Sequence, residues 1–525
     1  MGGSCQRESS RVAIIANALE VDHRAAANCE GFIPAGARRG SATLARLMRR
    51  SYLTCFFGAS LGCSAATTTP AGSPAPEANA AAPAPSAAAS GATLESVGLD
   101  SLALDRSADA CSNFYQFACG GWLEKTEIPP DESRWTRSFQ EINKRNELEL
   151  KRVLEAAASA PASSPNARAI GTFYGACMDE SNADALGAKP IAPLLEKAGS
   201  VKDVPSVVRV VTELHTKGIW AVFDVSPVQD PSDATRWLAG FDQAGLGLPD
   251  RDYYLKDDAE SQKIRAFYQG HVERMLALAG VAPAKAKQGA AAVLRIETEL
   301  AKVSKSRVER RDPKGMFNRL DQKKLAQLTP AIDWKAYQTK LGAAVGPEVN
   351  VTAPKFFEGV QVALKSIEPS AWQAYLQWHV VRDAARTLSK PFVDEQFALD
   401  QQLTGQAEQR PRWRRCVAAT NEALGDLLGE AFVETNFAGE SKSAAVAMVH
   451  AISGAFGTEL DRLEWMDDVT RKRAHEKLDA MAYLIGYPAK WKTYDFEIDP
   501  KNYAENTLRA SCARWAPASI ATSGR

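Results

Sequence analysis

Only six histidines occur in the 525 residues: His23, His215, His271, His379, His450 and His475. A zinc-dependent hydrolase of the His-Glu-x-x-His type needs two of them one helical turn apart, so that both imidazoles face one ion, with the Glu as base. His475-Glu476 supplies the first half of that pattern, but the fourth position onward is Asp479. Asp can ligate zinc, so His475 with Asp479 is the one metal arrangement that the spacing offers. The competing reading, a polar helix face over residues 471–477, carries more weight. No phosphate-cradling Gly loop or Cys-x-x-Cys pair occurs either. From the residues alone, the chain holds no complete catalytic constellation.

Composition narrows the class without naming a function. Lys plus Arg and Asp plus Glu are both 63, for a net charge of zero. That balance argues against nucleic acid as a partner, because such binders carry a basic excess. The length allows several domains and a large core that needs no metal or disulfide staples.

The first hundred residues divide by composition. Residues 1–47 lack sustained periodicity and read as a spurious or disordered leader before a start at Met48. Residues 48–63 have the form of a signal peptide: Arg49 and Arg50, then an apolar run from Tyr52 to Cys63. Cys63 after Leu61-Gly62 is similar to the acylated cysteine of a bacterial lipoprotein, although Ser60 stands where such boxes place Leu. Ordinary cleavage nearby is the alternative. The run is shorter than the ~20 residues a bilayer demands, and no later stretch qualifies, so no transmembrane helix is expected in the mature body. Residues 64–100 form an Ala/Pro/Ser-rich linker. The folded body therefore lies outside the cytoplasm, in the periplasm or cell envelope, lipid-anchored or secreted.

Beyond residue 100 the pattern is helical. Ile264, Phe267, Tyr268, His271, Val272, Met275, Leu276 and Ala279 recur at steps of three and four, as one apolar helix face. Val293, Leu294, Ile296, Leu300 and Val303 repeat it, and so do Val446, Val449, Phe456, Leu460 and Leu463. Strand patterning is scarce: Ile219–Val225 with residues 236–243 predicts one short hairpin. Trp334, Trp372, Trp378, Trp413 and Trp491 are expected in the core, and Tyr253-Tyr254 seats a helix start after a Pro-Asp turn. The fold class is mainly α, a large helical lobe with at most a small β element.

A series of local motifs is more specific. Cys111-Ser-Asn-Phe-Tyr-Gln-Phe-Ala-Cys119-Gly-Gly-Trp122-Leu123 is followed by Ser133-Arg134-Trp135, Phe173-Tyr-Gly-Ala-Cys177-Met-Asp179 and Gly245-Leu-Gly-Leu-Pro-Asp-Arg-Asp-Tyr-Tyr254. Then come Arg311-Asp-Pro313, Tyr375-Leu-Gln-Trp378, Pro411-Arg-Trp-Arg-Arg-Cys416, Trp465-Met-Asp467, Ile485-Gly-Tyr-Pro488 and Asn506-Thr-Leu-Arg509. In this order they resemble the neprilysin/endothelin-converting-enzyme family of zinc metalloendopeptidases, over residues 101–509. The resemblance implies the helical cap over a substrate cleft plus the first helices of a catalytic lobe. It stops before the family's His-Glu-x-x-His helix and third zinc ligand. Residues 510–525 read as a divergent tail with no helical period, the out-of-frame end of an interrupted gene or the end of a shortened paralogue.

Roles follow from the resemblance alone. Arg134 matches an arginine that holds a substrate's C-terminal carboxylate, a task suited to a planar guanidinium. Without a catalytic lobe it reads as a solvated surface arginine. Cys177 and Cys416 match a disulfide internal to this region. Cys111 and Cys119 match cysteines that bridge to the absent part, which leaves two unpaired thiols and an apolar face around Phe114, Tyr115 and Trp122. Complete members use zinc; this chain is expected to hold no cofactor and no catalytic residue. Two functions stay open: a truncated, inactive peptidase whose lineage acts on peptides or proteins, or a non-catalytic exported lobe that binds them.

Overall fold

In the computed structural model the described residues are 100–515, apart from 137–138, 160–163, 343–345 and 438. The leader, the signal segment with Cys63, nearly all of the linker, and the tail beyond Trp515 lie outside them. The chain divides into two compact units, which meet in sequence at Pro129 and Pro130.

The smaller unit is built on α1 (Phe114–Lys125). Asn113 caps it, its side chain accepting from the Gln116 N–H at 3.1 Å. Gly121 is required by packing. A Cβ there would stand 2.6 Å from the Leu102 carbonyl oxygen, so only glycine lets the segment before the helix lie against it. Phe114, Tyr115 and Leu123 are exposed and Trp122 is half-buried.

The larger unit begins with α2 (Gln140–Ser159), α3 (Pro165–Met178), α4 (Glu180–Leu186), α5 (Ala192–Gly199) and α6 (Val204–His215). The hairpin β1 (Phe223–Asp230) and β2 (Asp233–Gln243) follows, then α7 (Asp252–Leu255), α8 (Ala259–Leu278) and α9 (Pro283–Val303). Next are β3 (Arg319–Asp321), α10 (Gln322–Leu328), α11 (Trp334–Leu341), β4 (Glu348–Val351), α12 (Pro354–Ser366), α13 (Pro369–Ala384) and α14 (Lys390–Thr404). The chain continues through α15 (Arg412–Asn436), α16 (Ser441–Arg462), α17 (Asp468–Asp479) and α18 (Tyr503–Trp515). Pro165, Pro283, Pro354 and Pro369 each open a helix, where the missing N–H costs nothing and the fixed φ is already helical.

Two cores result. The first packs α8, α9, α12 and α13 with the sheet, around Tyr268, Trp372, Tyr375 and Trp378, all within 1% of complete burial. Ile264, His271, Val272, Met275 and Leu276 of α8 enter it as the periodicity requires, as do Val293, Ile296 and Leu300 of α9. The second joins α2, α3 and α15 through Leu154, Ile170, Phe173, Cys177, Cys416 and Leu428.

The sheet is larger than one hairpin. Its order is β1-β2-β4-β3, with β1–β2 and β3–β4 antiparallel and β4 parallel to β2. The first strand starts at Phe223, four residues later than Ile219. Val222 has φ +69°, a left-handed conformation that no β-branched residue holds in a strand. Tyr375 fixes it there: its hydroxyl accepts from the Val222 N–H at 3.0 Å and donates to the Gly245 carbonyl at 2.9 Å.

Three further expectations change. The helix α16 forms, but of its residues only Leu460 is buried, while Met448, Ile452 and Phe456 stand at 65%, 63% and 55% exposure. Its apolar face has little to pack against among the described residues. Trp334, Trp372 and Trp378 are core, but Trp413 and Trp491 are half-buried, and Trp491 stacks on Tyr487 in an irregular stretch. Finally α18 runs to Trp515, past Arg509, because Ala510 seats in the second core at 1% exposure.

Candidate functional site

Arg134 lies on the exposed segment that leads into α2, and its surroundings come from distant parts of the chain. Upstream, the carbonyl of Pro130 accepts from the Glu408 N–H at 2.7 Å. Arg414, in the first turn of α15, then spreads its guanidinium over three carboxylates. Nη1 donates to Asp131 at 2.7 Å, Nη2 to Glu132 at 2.9 Å and Nε to Glu147 of α2 at 2.8 Å. Arg410 takes the other oxygen of Glu132 at 2.7 Å. Burial works against the Arg414 charge, but Glu147, Asp131 and Glu132 more than offset it and hold the guanidinium firmly protonated. Downstream, the Gln140 side-chain carbonyl accepts from the Thr136 N–H and hydroxyl, and its amide donates to the Arg134 carbonyl at 3.4 Å.

The same end of α15 is joined to α3. Cys416 and Cys177 form a disulfide with Cα atoms 5.7 Å apart, and Arg412 donates to the Cys177 carbonyl at 2.8 Å. That carbonyl is one of the last four of α3, which have no partner within the helix. Cys111 and Cys119 enter no disulfide among the described residues. Cys111 sits in the turn before α1 and Cys119 within the helix, so the stretch between them is only partly helical.

The described residues do not fit a zinc ion: among them no group of three His, Cys, Asp or Glu is placed to hold a metal. His475 faces Asp461 of α16, with Nε2 at 2.8 Å from the carboxylate, and its geometry is that of a polar helix pair. His215 and His379 are core residues. His215 is wholly buried between the Tyr337 hydroxyl and the Ala221 carbonyl, each at 2.7 Å, and burial pushes its imidazole down to about 4. His271 pairs with Glu395 at 2.9 Å, and His450 meets the Tyr483 ring edge-on.

The buried acid Glu297, on α9, escapes sequence reasoning. The Tyr254 and Tyr268 hydroxyls donate to its two oxygens at 2.7 and 2.8 Å. Tyr254 in turn accepts from the Gly247 and Leu248 N–H groups, and Tyr268 from the Trp378 indole. Both hydroxyls thus have their protons directed at Glu297, an arrangement suited to a carboxylate. Burial opposes the charge and prevails in part, pushing the acid up to about 7. On the sheet, Asp224 stands across the β1–β2 pair from Asp242, which Arg310 grips with both terminal nitrogens. Burial, then Asp242, push Asp224 up to about 6.

Comparison with known proteins decides the lineage. Residues 110–488 match peptidase family M13. The chain belongs to that family. An endothelin-converting enzyme homolog of Locusta migratoria is 31% identical over 438 residues, covering 78% of this chain and 60% of that protein. Human endothelin-converting enzyme-like 1 is 30% identical over 433 residues, covering 78% and 55%. The Mycobacterium tuberculosis zinc metalloprotease ZMP1 in complex with an inhibitor superposes with a TM-score of 0.74 at 28% identity, over 80% of this chain and 64% of that one. The chain therefore spans a little over half the length of these curated relatives. As an M13 chain of mainly α fold it has the neprilysin-like architecture that the ordered motifs imply, and no described helix is long and apolar enough to cross a membrane.

Proposed function

We propose that this polypeptide carries the helical region of an M13-lineage zinc metalloendopeptidase, and that these 525 residues do not by themselves hydrolyse peptides. One observation carries the reading: its sequence contains no His-Glu-x-x-His, while the M13 match covers residues 110–488. Metal-activated attack of water on a peptide carbonyl needs an ion held by three protein side chains with a position left for water, and no group of three that could hold a metal is present among the described residues. The chain is a bacterial, exported protein, kept in the periplasm or envelope or lipid-anchored through Cys63, with peptides or proteins as partners. A second reading draws on the exposed stripe of Met448, Ile452 and Phe456. Apolar surface of that kind marks interaction sites, and it favours a lobe that binds a peptide or protein without cleaving it. Incubation with internally quenched peptides, with and without a chelator, tests the first reading. The expected result is no chelator-sensitive cleavage.

A further inference from the structure

We propose that Arg414 is the positioning residue of the Arg134 segment, setting where that arginine presents its guanidinium to a peptide carboxylate. The proposal rests on the reading of Arg134 as a carboxylate anchor, and it concerns how this chain holds that group.

The first turn of α15 breaks a local rule. Arg412, Arg414 and Arg415 occupy it with no acidic residue among them, although cations there oppose the positive end of the helix dipole. A helix with that start needs anions brought from elsewhere, and the fold brings them. Arg412 faces Glu180 at 3.3 Å, and Arg414 meets Asp131, Glu132 and Glu147 at once. Two of these three carboxylates lie on the short segment immediately before Arg134. The group is mostly shielded: the side chains of Arg414, Glu132 and Glu147 are 14%, 9% and 15% exposed. Charge-assisted bonds of this length in partial shelter are the strong class. Three carboxylates, two on the loop and one on α2, also need three donors in a fixed planar fork, which arginine has and lysine lacks. Arg134 thus stands between two anchors, Arg414 with Arg410 upstream and Gln140 downstream.

Arg414→Lys tests this, since it keeps the charge and removes the fork, while the Cys177–Cys416 bond continues to hold α15 to α3. Hydrogen exchange of the whole chain supplies the first readout. Amides of residues 131–136 should exchange at least about ten-fold faster, while α3 and α15 beyond Cys416 stay protected. Unchanged exchange in 131–136, or an equal rise through α2, α3 and α15, overturns the proposal. The second readout is the affinity of a short apolar peptide with a free C-terminal carboxylate relative to its C-terminal amide. Wild type should prefer the acid by about ten-fold, and Arg134→Gln should bring the ratio close to one. Arg414→Lys should do the same without abolishing binding of the amide. A ratio kept by Arg414→Lys but lost by Arg134→Gln overturns the positioning role. If wild type itself shows no preference, the carboxylate-anchor reading fails, while the exchange result still decides whether Arg414 holds the segment.

Discussion

Replacing Cys177 and Cys416 together by alanine should destabilise the larger unit by about 5 kcal/mol. The two residues lie 239 apart in sequence, and in the chain-entropy model closing so long a loop removes roughly 18 cal/mol/K from the unfolded ensemble. At 25 °C that is about 5 kcal/mol, a large share of the 5–15 kcal/mol by which domains are stable. A body of about 390 residues unfolds with an entropy near 0.8 kcal/mol/K, so the melting temperature should fall by about 6 °C. Both sulfurs are buried, at 3% and 0% residue exposure, so the loss should appear as unfolding of the second core, with α3 parting from α15. Calorimetry of the wild type and the double variant at one pH and protein concentration makes the measurement. A shift below about 1 °C, or ready labelling of these two cysteines in the native protein without reductant, would refute the reasoning.

Three further expectations concern buried or reactive groups. His215 is held neutral by burial, with its pKa depressed, so its stabilising effect is complete above the unfolded value and is lost as pH falls from about 6.5 to about 4. The stability advantage of wild type over His215→Phe should shrink by about 3 kcal/mol across that window, and a difference independent of pH would refute it. Glu297 has the opposite sign: the folded chain keeps a proton between pH 4.5 and about 7 that the unfolded chain releases, so its contribution declines as pH rises. Subtracting the urea-unfolding curve of Glu297→Gln should leave a fall of about 3 kcal/mol over that range, which a flat difference would contradict. Cys111 and Cys119 should both take a thiol reagent in the native protein, the exposed Cys111 first, and a peptide map that joins them to each other would overturn this.

Much of the architecture was legible because helix periodicity is a local property. The faces of α8 and α9 could be read residue by residue, and the motif order gave the lineage. What escaped is what depends on distant partners. The start of β1 is set by the Tyr375 hydroxyl, 153 residues away, and the strand Glu348–Val351 is too short to announce itself. The apolar stripe of α16 has the right spacing for burial, yet periodicity shows only that a face exists, not that anything covers it. Arg414 was visible as part of a motif, but its three carboxylates converge only in three dimensions. Glu297 sits one position after Ile296 in an ordinary amphipathic repeat, and no spacing rule marks it as a wholly buried acid. His475 shows the converse: a half-motif in sequence proved to be a side-chain pair with Asp461.

The proposed reading is that these 525 residues, which contain no His-Glu-x-x-His, neither hold zinc nor hydrolyse peptides. Zinc content of the purified, metal-supplemented protein, measured alongside hydrolysis of a fluorogenic peptide, tests it most directly. Zinc well below one ion per chain, with cleavage no faster than in the protein-free control, is the predicted result. One zinc per chain together with cleavage that a chelator abolishes and added zinc restores would contradict it.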